Sequence, residues 1–212
     1  MYALVINNEI TKLITNPKSI VIGDVRYPSK IFQLWSALEL NAIGIYEIVF
    51  DDSNKKDEKW YINTNQTYTY DASAGTVTAA YGTATAKAHA DTLYTQEDVD
   101  DDVDDNGDRI NDFSVGDLAY RGLKYNLIQT LKQQVAGILN DTDWYITRNA
   151  EKSTAIPSAI STHRDAVRTK QADMETAITN ASDTPALETL YTYTTTDGVQ
   201  SRPLGELPTL ES

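Results

Sequence analysis

The first half of the chain alternates between apolar and polar positions with a period of two. Tyr2–Ile6 is an apolar run, Asn7-Asn8 a polar pair, and Ile10 to Ile14 a second run, the pattern of a β-hairpin. Ser19 to Val25 continues the β pattern. Past Pro28 and Ser29 the period changes. Ile31, Leu34, Trp35 and Leu38 recur at helical spacing, and Gly44 closes that segment. Ile45 to Phe50 reads as a strand, Asp51 to Glu58 as a polar loop, and the Thr- and Tyr-rich stretches Trp60 to Tyr70 and Thr76 to Thr85 as further strands joined by a turn at Asp71 to Gly75. The chain carries 26 threonines. Their concentration here and near the C-terminus fits a solvated antiparallel sheet.

The second half is helical. Ser114 with Asp117 three residues on has the form of a capping box. Leu123, Leu127, Leu131, Val135 and Ile138 then form a stripe along one helix face, broken at Asn140 to Asp143. Trp144-Tyr145-Ile146 is an apolar anchor after the break. Pro157 opens a second helix, on which Ile160, Val167, Met174, Ile178 and Ala181 follow at heptad-like spacing until Asn180 to Pro185 ends it. Thr192 to Ser212 reads as an extended arm. The expected fold is therefore α+β: a β-rich N-terminal domain with one short helix over residues 1–95, an acidic linker over 96–113, an antiparallel helical hairpin over 114–182, and an extended C-terminal arm over 183–212.

Composition narrows the function classes. The 212 residues include no cysteine, which excludes disulfides, a thiolate nucleophile, iron–sulfur clusters and cysteine zinc sites. The net charge of −13 argues against nucleic acid as a partner, because affinity for phosphate comes largely from Lys and Arg. No apolar run approaches the ~20 residues of a membrane helix, so no membrane partner is expected. Met1 leads straight into Tyr2 to Ile6 without a basic region, so no secretory leader is expected either. The charge is uneven: nine acids and one base, Arg109, fall between Glu97 and Asp112.

Within that run, Asp102, Asp104, Asn106 and Asp108 stand at alternate positions around Gly107, the opening of a calcium loop in which side-chain oxygens converge on a hard cation. The EF-hand form needs Glu at the twelfth position, which is Phe113, with Asp112 one place early. The pattern thus reads either as a calcium site or as a solvated acidic loop. Apart from this possible calcium, no cofactor is expected. No GxSxG, P-loop, GxGxxG or HExxH pattern occurs, and His89 and His163 both read as surface histidines, so no enzymatic activity is expected. Trp144 and Tyr145, with Arg164 and Arg168 on one helix face and Arg148 nearby, form a candidate docking patch for a partner. The alternative is that these arginines pair internally with Asp141, Asp143, Glu151 or Asp165.

Two segments carry a resemblance. MYALVINNEITKL followed by YPSKIFQLWSALELNAIGIYEIVFDD resembles the opening of tailed-bacteriophage tail-associated and tail-fibre assembly proteins. GILNDTDWYITRNAEKSTAIPSAISTHRDAVRTK is similar to a module of phage tail assembly chaperones: an apolar helix end, then Thr/Ser-Asp-Trp, an acidic residue and Pro, and an Arg-bearing helix. The matching residues are Leu139, Thr142, Asp143, Trp144, Glu151, Pro157, Arg164 and Arg168, while His163 replaces an aromatic and Val167 a Leu. The resemblance implies a non-enzymatic structural component of a phage tail, made in the host cytoplasm and residing in the virion. Its implied partners are other tail or fibre proteins, with several copies in a symmetric assembly. One alternative is a transient tail-fibre assembly chaperone absent from the mature virion. Another, suggested by the acidic loop and the Thr/Tyr-rich sheet, is a calcium-stabilised host-recognition adhesin.

Overall fold

Asn7 and Asn8 both adopt positive φ, 52° and 65°, the backbone a two-residue turn needs to match the twist of its flanking strands. They join β1 (Tyr2–Ile6) to β2 (Glu9–Ile14). This hairpin opens a chain that the computed structural model describes over residues 1–210. The fold is mixed α+β, about 36% helical and 25% strand. It divides into two compact units, Met1–Thr85 and Ala86–Ser212. The division falls after Thr85 rather than after residue 95, and the acidic segment 96–113 lies inside the second unit rather than forming a linker between units.

In the first unit, β3 (Ile20–Ile22) and β4 (Val25–Tyr27) form a second hairpin, turned at Gly23 (φ +59°). The expected single helix is two: α1 (Ile31–Leu34) and α2 (Ala37–Ala42). Ser36 interrupts them because its hydroxyl and backbone form a full capping box with Glu39, which starts a new helix in a new phase. The reset turns Leu34 and Leu38 to solvent and leaves Ile31, Phe32 and Leu40 as the buried positions. After Gly44 come β5 (Ile45–Asp51), β6 (Tyr61–Ile62), β7 (Gln66–Asp71) and β8 (Thr76–Tyr81), with β9 (Thr85–Ala86) where the two units join in sequence. The stretch expected as one strand from Trp60 to Tyr70 is broken between β6 and β7.

The main sheet has the order β2-β1-β5-β8-β7. Every neighbouring pair is antiparallel except β5 and β8, which run parallel. The edges β2 and β7 approach each other, so the sheet curls. Strand β1 is buried on both faces. Leu4 joins Ile14, Ile20, Ile31, Phe32, Leu40 and Ile45 under the helices, while Ala3 and Val5 join Ile48, Val77 and Ala79 inside the curl. The inner face is closed by tyrosines: the rings of Tyr46 and Tyr70 lie 4.9 Å apart and their hydroxyls hydrogen-bond at 3.0 Å.

In the second unit, β10 (Thr92–Leu93) pairs with β11 (Leu118–Tyr120), and α3 (Gln96–Asp101) leaves from β10 behind a capping box of Thr95 and Asp98. Ser114 and Asp117 do interact, but as a turn: the Ser114 N–H donates to the Asp117 carboxylate, and Gly116 at φ +90° prevents a helix there. Helix α4 (Leu123–Asn140) begins later, at Gly122. It has no side-chain cap of its own. The carbonyls of Ala88 and His89 accept from the Leu123 and Lys124 N–H groups, and the Asp91 carboxylate accepts from Gly122. A Cβ on Gly122 would collide with the Ala90 backbone.

Helix α5 (Asp143–Lys152) follows, then α6 (Ser158–Asn180) and α7 (Thr184–Tyr191). Helices α4 and α6 run antiparallel, since Lys124 near the start of α4 reaches the Thr179 carbonyl near the end of α6. Leu131 and Val135 on α4 and Ile160, Val167, Met174 and Ile178 on α6 are buried, as their spacing predicts. The C-terminal stretch is not an extended arm. It contributes α7, a hairpin of β12 (Thr194–Thr196) and β13 (Val199–Ser201), and a returning segment in which Leu204 is buried and Arg202 pairs with Glu206.

Gly44 sits at φ +83°, and a Cβ there would lie 2.6 Å from the Val5 carbonyl oxygen. Gly44→Ala is therefore expected to destabilise the first unit by about 1–3 kcal/mol, the cost of a strained left-handed residue. Urea unfolding followed by circular dichroism measures it, and a loss under about 0.5 kcal/mol would contradict the strain.

Candidate functional site

The turn between α4 and α5 is held by Arg164, which reaches it from α6 and is only 6% exposed. One terminal nitrogen, Nη1, donates to the Leu139 carbonyl at 2.7 Å and to the Thr142 hydroxyl at 2.6 Å. The other, Nη2, donates to Asp143 Oδ1 at 2.8 Å. The Thr142 hydroxyl in turn donates to the Leu139 carbonyl. The Leu139 carbonyl, which also accepts the Thr142 N–H at 3.1 Å, is thereby tied to α6, and the carboxylate that opens α5 is anchored. A planar guanidinium suits both tasks because its donors sit in a fixed fork. The Arg164 Nε is buried without a partner among the described residues.

Helix α5 then presents the aromatic pair. Trp144 is 51% exposed, and its ring lies 3.8 Å from that of Tyr145. Arg148, one turn on, covers both, its guanidinium carbon 4.6 Å from the Trp144 centroid and 5.3 Å from that of Tyr145. Arg168, the fourth expected docking residue, lies exposed on α6 and pairs with Asp165 at 3.4 Å. The arginines thus follow the internal pairing that the sequence offered as the alternative: Arg164 with Asp143, Arg168 with Asp165. Arg164 is buried and spends its terminal nitrogens on the α4–α5 turn, away from the exposed surface where a docking residue is expected. The cation beside the aromatic pair is Arg148, and its spacing of four from Trp144 is the sequence signal for it. His163, expected at the surface, is buried at 8% exposure. It lines a groove of about 330 Å³ together with Ile138, Thr142 and the returning Leu207, Pro208 and Leu210.

The acidic segment folds on itself. Val103 and Arg109 form an antiparallel bridge, and Asp104 and Asp108 are joined by a backbone hydrogen bond of 2.8 Å. The four alternating residues have separate tasks. The Asp102 carboxylate accepts from the Asn111 side chain at 2.6 Å, from the Asn111 N–H at 2.8 Å and from Arg109 at 3.5 Å. Asp104 accepts from the N–H groups of Asn106 and Asp108. Asn106 also turns its amide to Asp104, and Asp108 contributes backbone groups to the bridge. Among the described residues no three carboxylate or imidazole side chains converge as a cation would need. The base of the excursion is closed by Tyr94 stacked on Phe113, centroids 3.7 Å apart, with Arg109 donating to the Phe113 carbonyl at 2.6 Å.

These contacts shift the acids. Burial alone would raise the Asp102 pKa, but the bonds from Asn111 and Arg109 outweigh it and hold it below the ordinary aspartate value. Asp104 is lowered by the Asp108 and Asn106 N–H groups, Asp98 by Thr95, and Asp91 by the Gly122 N–H and Arg121. No known protein family, curated protein or solved structure matches the chain. No helix among the described residues is long and apolar enough to cross a membrane.

Arg164→Met strands the Thr142–Asp143 turn and is expected to cost about 3 kcal/mol by urea unfolding, whereas Arg168→Ala at the exposed pair should stay within about 0.5 kcal/mol. Equal effects would show that burial does not distinguish them. The lowered aspartates bind protons less readily when folded than unfolded, so the stability they contribute is present above the ordinary aspartate pKa of about 3.9 and is lost as pH falls through their depressed folded values. The melting temperature should therefore drop on acidification below about pH 4. Asp102→Asn should lower it at neutral pH and flatten that acid limb, and an unchanged limb would remove Asp102 from the account.

Proposed function

We propose that this chain is a non-enzymatic structural component of a bacteriophage tail, acting through protein–protein contacts in the tail, its connector or its fibre attachment. The observation that carries the reading is the corner built by Thr142, Asp143 and Arg164, which holds a half-exposed Trp144 beside Tyr145 and Arg148. Four of these, Thr142, Asp143, Trp144 and Arg164, are among the residues on which the resemblance to phage tail modules rests, and Arg164 bonds Thr142 and Asp143 directly. A Trp–Tyr–Arg cluster is the composition of an interface hot spot, because its aromatic rings offer large contact area with little side-chain entropy to lose. Nothing in the site assembles a nucleophile, base and oxyanion donor, which favours binding over chemistry.

On this reading the partners are other tail or fibre proteins, and several copies sit in a symmetric virion assembly. Quantitative mass spectrometry of purified particles tests it. The chain should be present at a fixed stoichiometric copy number, and the paired change Trp144→Ala with Arg148→Ala should cut incorporation by about tenfold or more while leaving the melting temperature near that of the parent. Absence of the unaltered chain from intact particles would overturn the structural reading in favour of a transient assembly chaperone.

A further inference from the structure

The first unit is almost neutral. Residues 1–85 hold nine acids and seven bases, so most of the chain's negative charge lies beyond them. In this unit the return from β2 to β3 borders a cavity of about 330 Å³ that is open to solvent, with Ile14 and Ile20 as its buried floor and exposed residues around them. Lys12 lines it from β2 and Lys18 from the loop, together with Thr15, Asn16 and Ser19 and with no carboxylate in the lining. Neither lysine makes an ion pair among the described residues. The amide N–H groups of Asn16 and Lys18 find no acceptor in the loop, and Pro17 between them has no N–H to offer.

We propose that this cavity binds a phosphate group, free or carried as an ester. Two ammonium groups act as point charges for an oxyanion, and the hydroxyl, amide and backbone donors can supply hydrogen bonds to its remaining oxygens. The volume lies at the low end for small-molecule sites and exceeds what a bare anion fills, and Leu13 gives the wall an apolar part against which an organic substituent can rest. A lining without carboxylates repels no oxyanion, in contrast to the acidic segment of the second unit. This site stands independently of the tail assignment.

Titration of the full-length chain with inorganic phosphate and, separately, with glucose 6-phosphate, read by amide NMR shifts, tests the proposal. Shifts centred on Asn16, Lys18 and Ser19 are expected, with saturation below about 10 mM at low ionic strength. Tighter binding of the sugar ester identifies an ester as the source, and equal binding identifies free phosphate. The double variant K12Q/K18Q should weaken binding by about tenfold or more, K12R/K18R should retain it, and K55Q, outside the lining, should leave it unchanged, all with parental melting curves. No shift in these amides with either probe, or equal affinity in K12Q/K18Q, would overturn the proposal.

Discussion

A single buried guanidinium holds the turn from which the second unit presents an exposed aromatic pair. Arg164 donates at once to the end of α4, to the hydroxyl at the turn and to the first carboxylate of α5. Taking that charge out of water is costly unless its donors are used, and here two of its nitrogens are. Thr142 and Asp143 are held by Arg164 of α6, and the next residue, Trp144, is half exposed, with Tyr145 beside it and Arg148 over its ring. A buried cation and an exposed aromatic group are thus two ends of one arrangement.

The acidic segment obeys the same accounting of polar groups. Nine acids within 16 residues would repel one another if left as an open loop. Instead Asp98 caps α3, Asp102 is filled by Asn111 and Arg109, and Asp104 closes a turn on the amides of Asn106 and Asp108. The one base, Arg109, bonds the Phe113 carbonyl at the foot of the excursion. Of the alternating residues, the Asp102 and Asp104 carboxylates are filled by nearby backbone N–H groups and by the Asn111, Arg109 and Asn106 side chains.

Much of the fold was legible where periodicity and burial coincide. Asn7-Asn8 announced its hairpin, and Leu131, Val135, Val167 and Met174 lie on the buried faces their spacing predicts. Some of the failures arise where local capping and turn chemistry outweigh a longer periodic pattern, others where a distant segment supplies the contact. Ser36 with Glu39 reset the helix phase and exposed Leu34 and Leu38. Gly116 turned the Ser114–Asp117 pair into a bend, and α4 took its N-terminal acceptors from residues 88–91, a contact no local pattern encodes. In the candidate site, Asp143 was legible as a partner for an arginine. The Leu139 carbonyl was not, because every residue carries a backbone acceptor and the sequence does not mark which one a distant side chain will reach. His163 was misread for a related reason: the segment that buries it, Leu207 to Leu210, returns from far along the chain.

The central claim, that Arg164 and the α4–α5 turn act as one unit, is tested most directly by a double-mutant cycle between Arg164→Met and Thr142→Val, with stability read by urea unfolding. Both residues are buried and bonded at 2.6 Å, so the two losses should be strongly non-additive, with a coupling of about 1 kcal/mol or more. Losses that add to within about 0.3 kcal/mol would contradict the account, because they would mean that the turn holds its shape without the arginine.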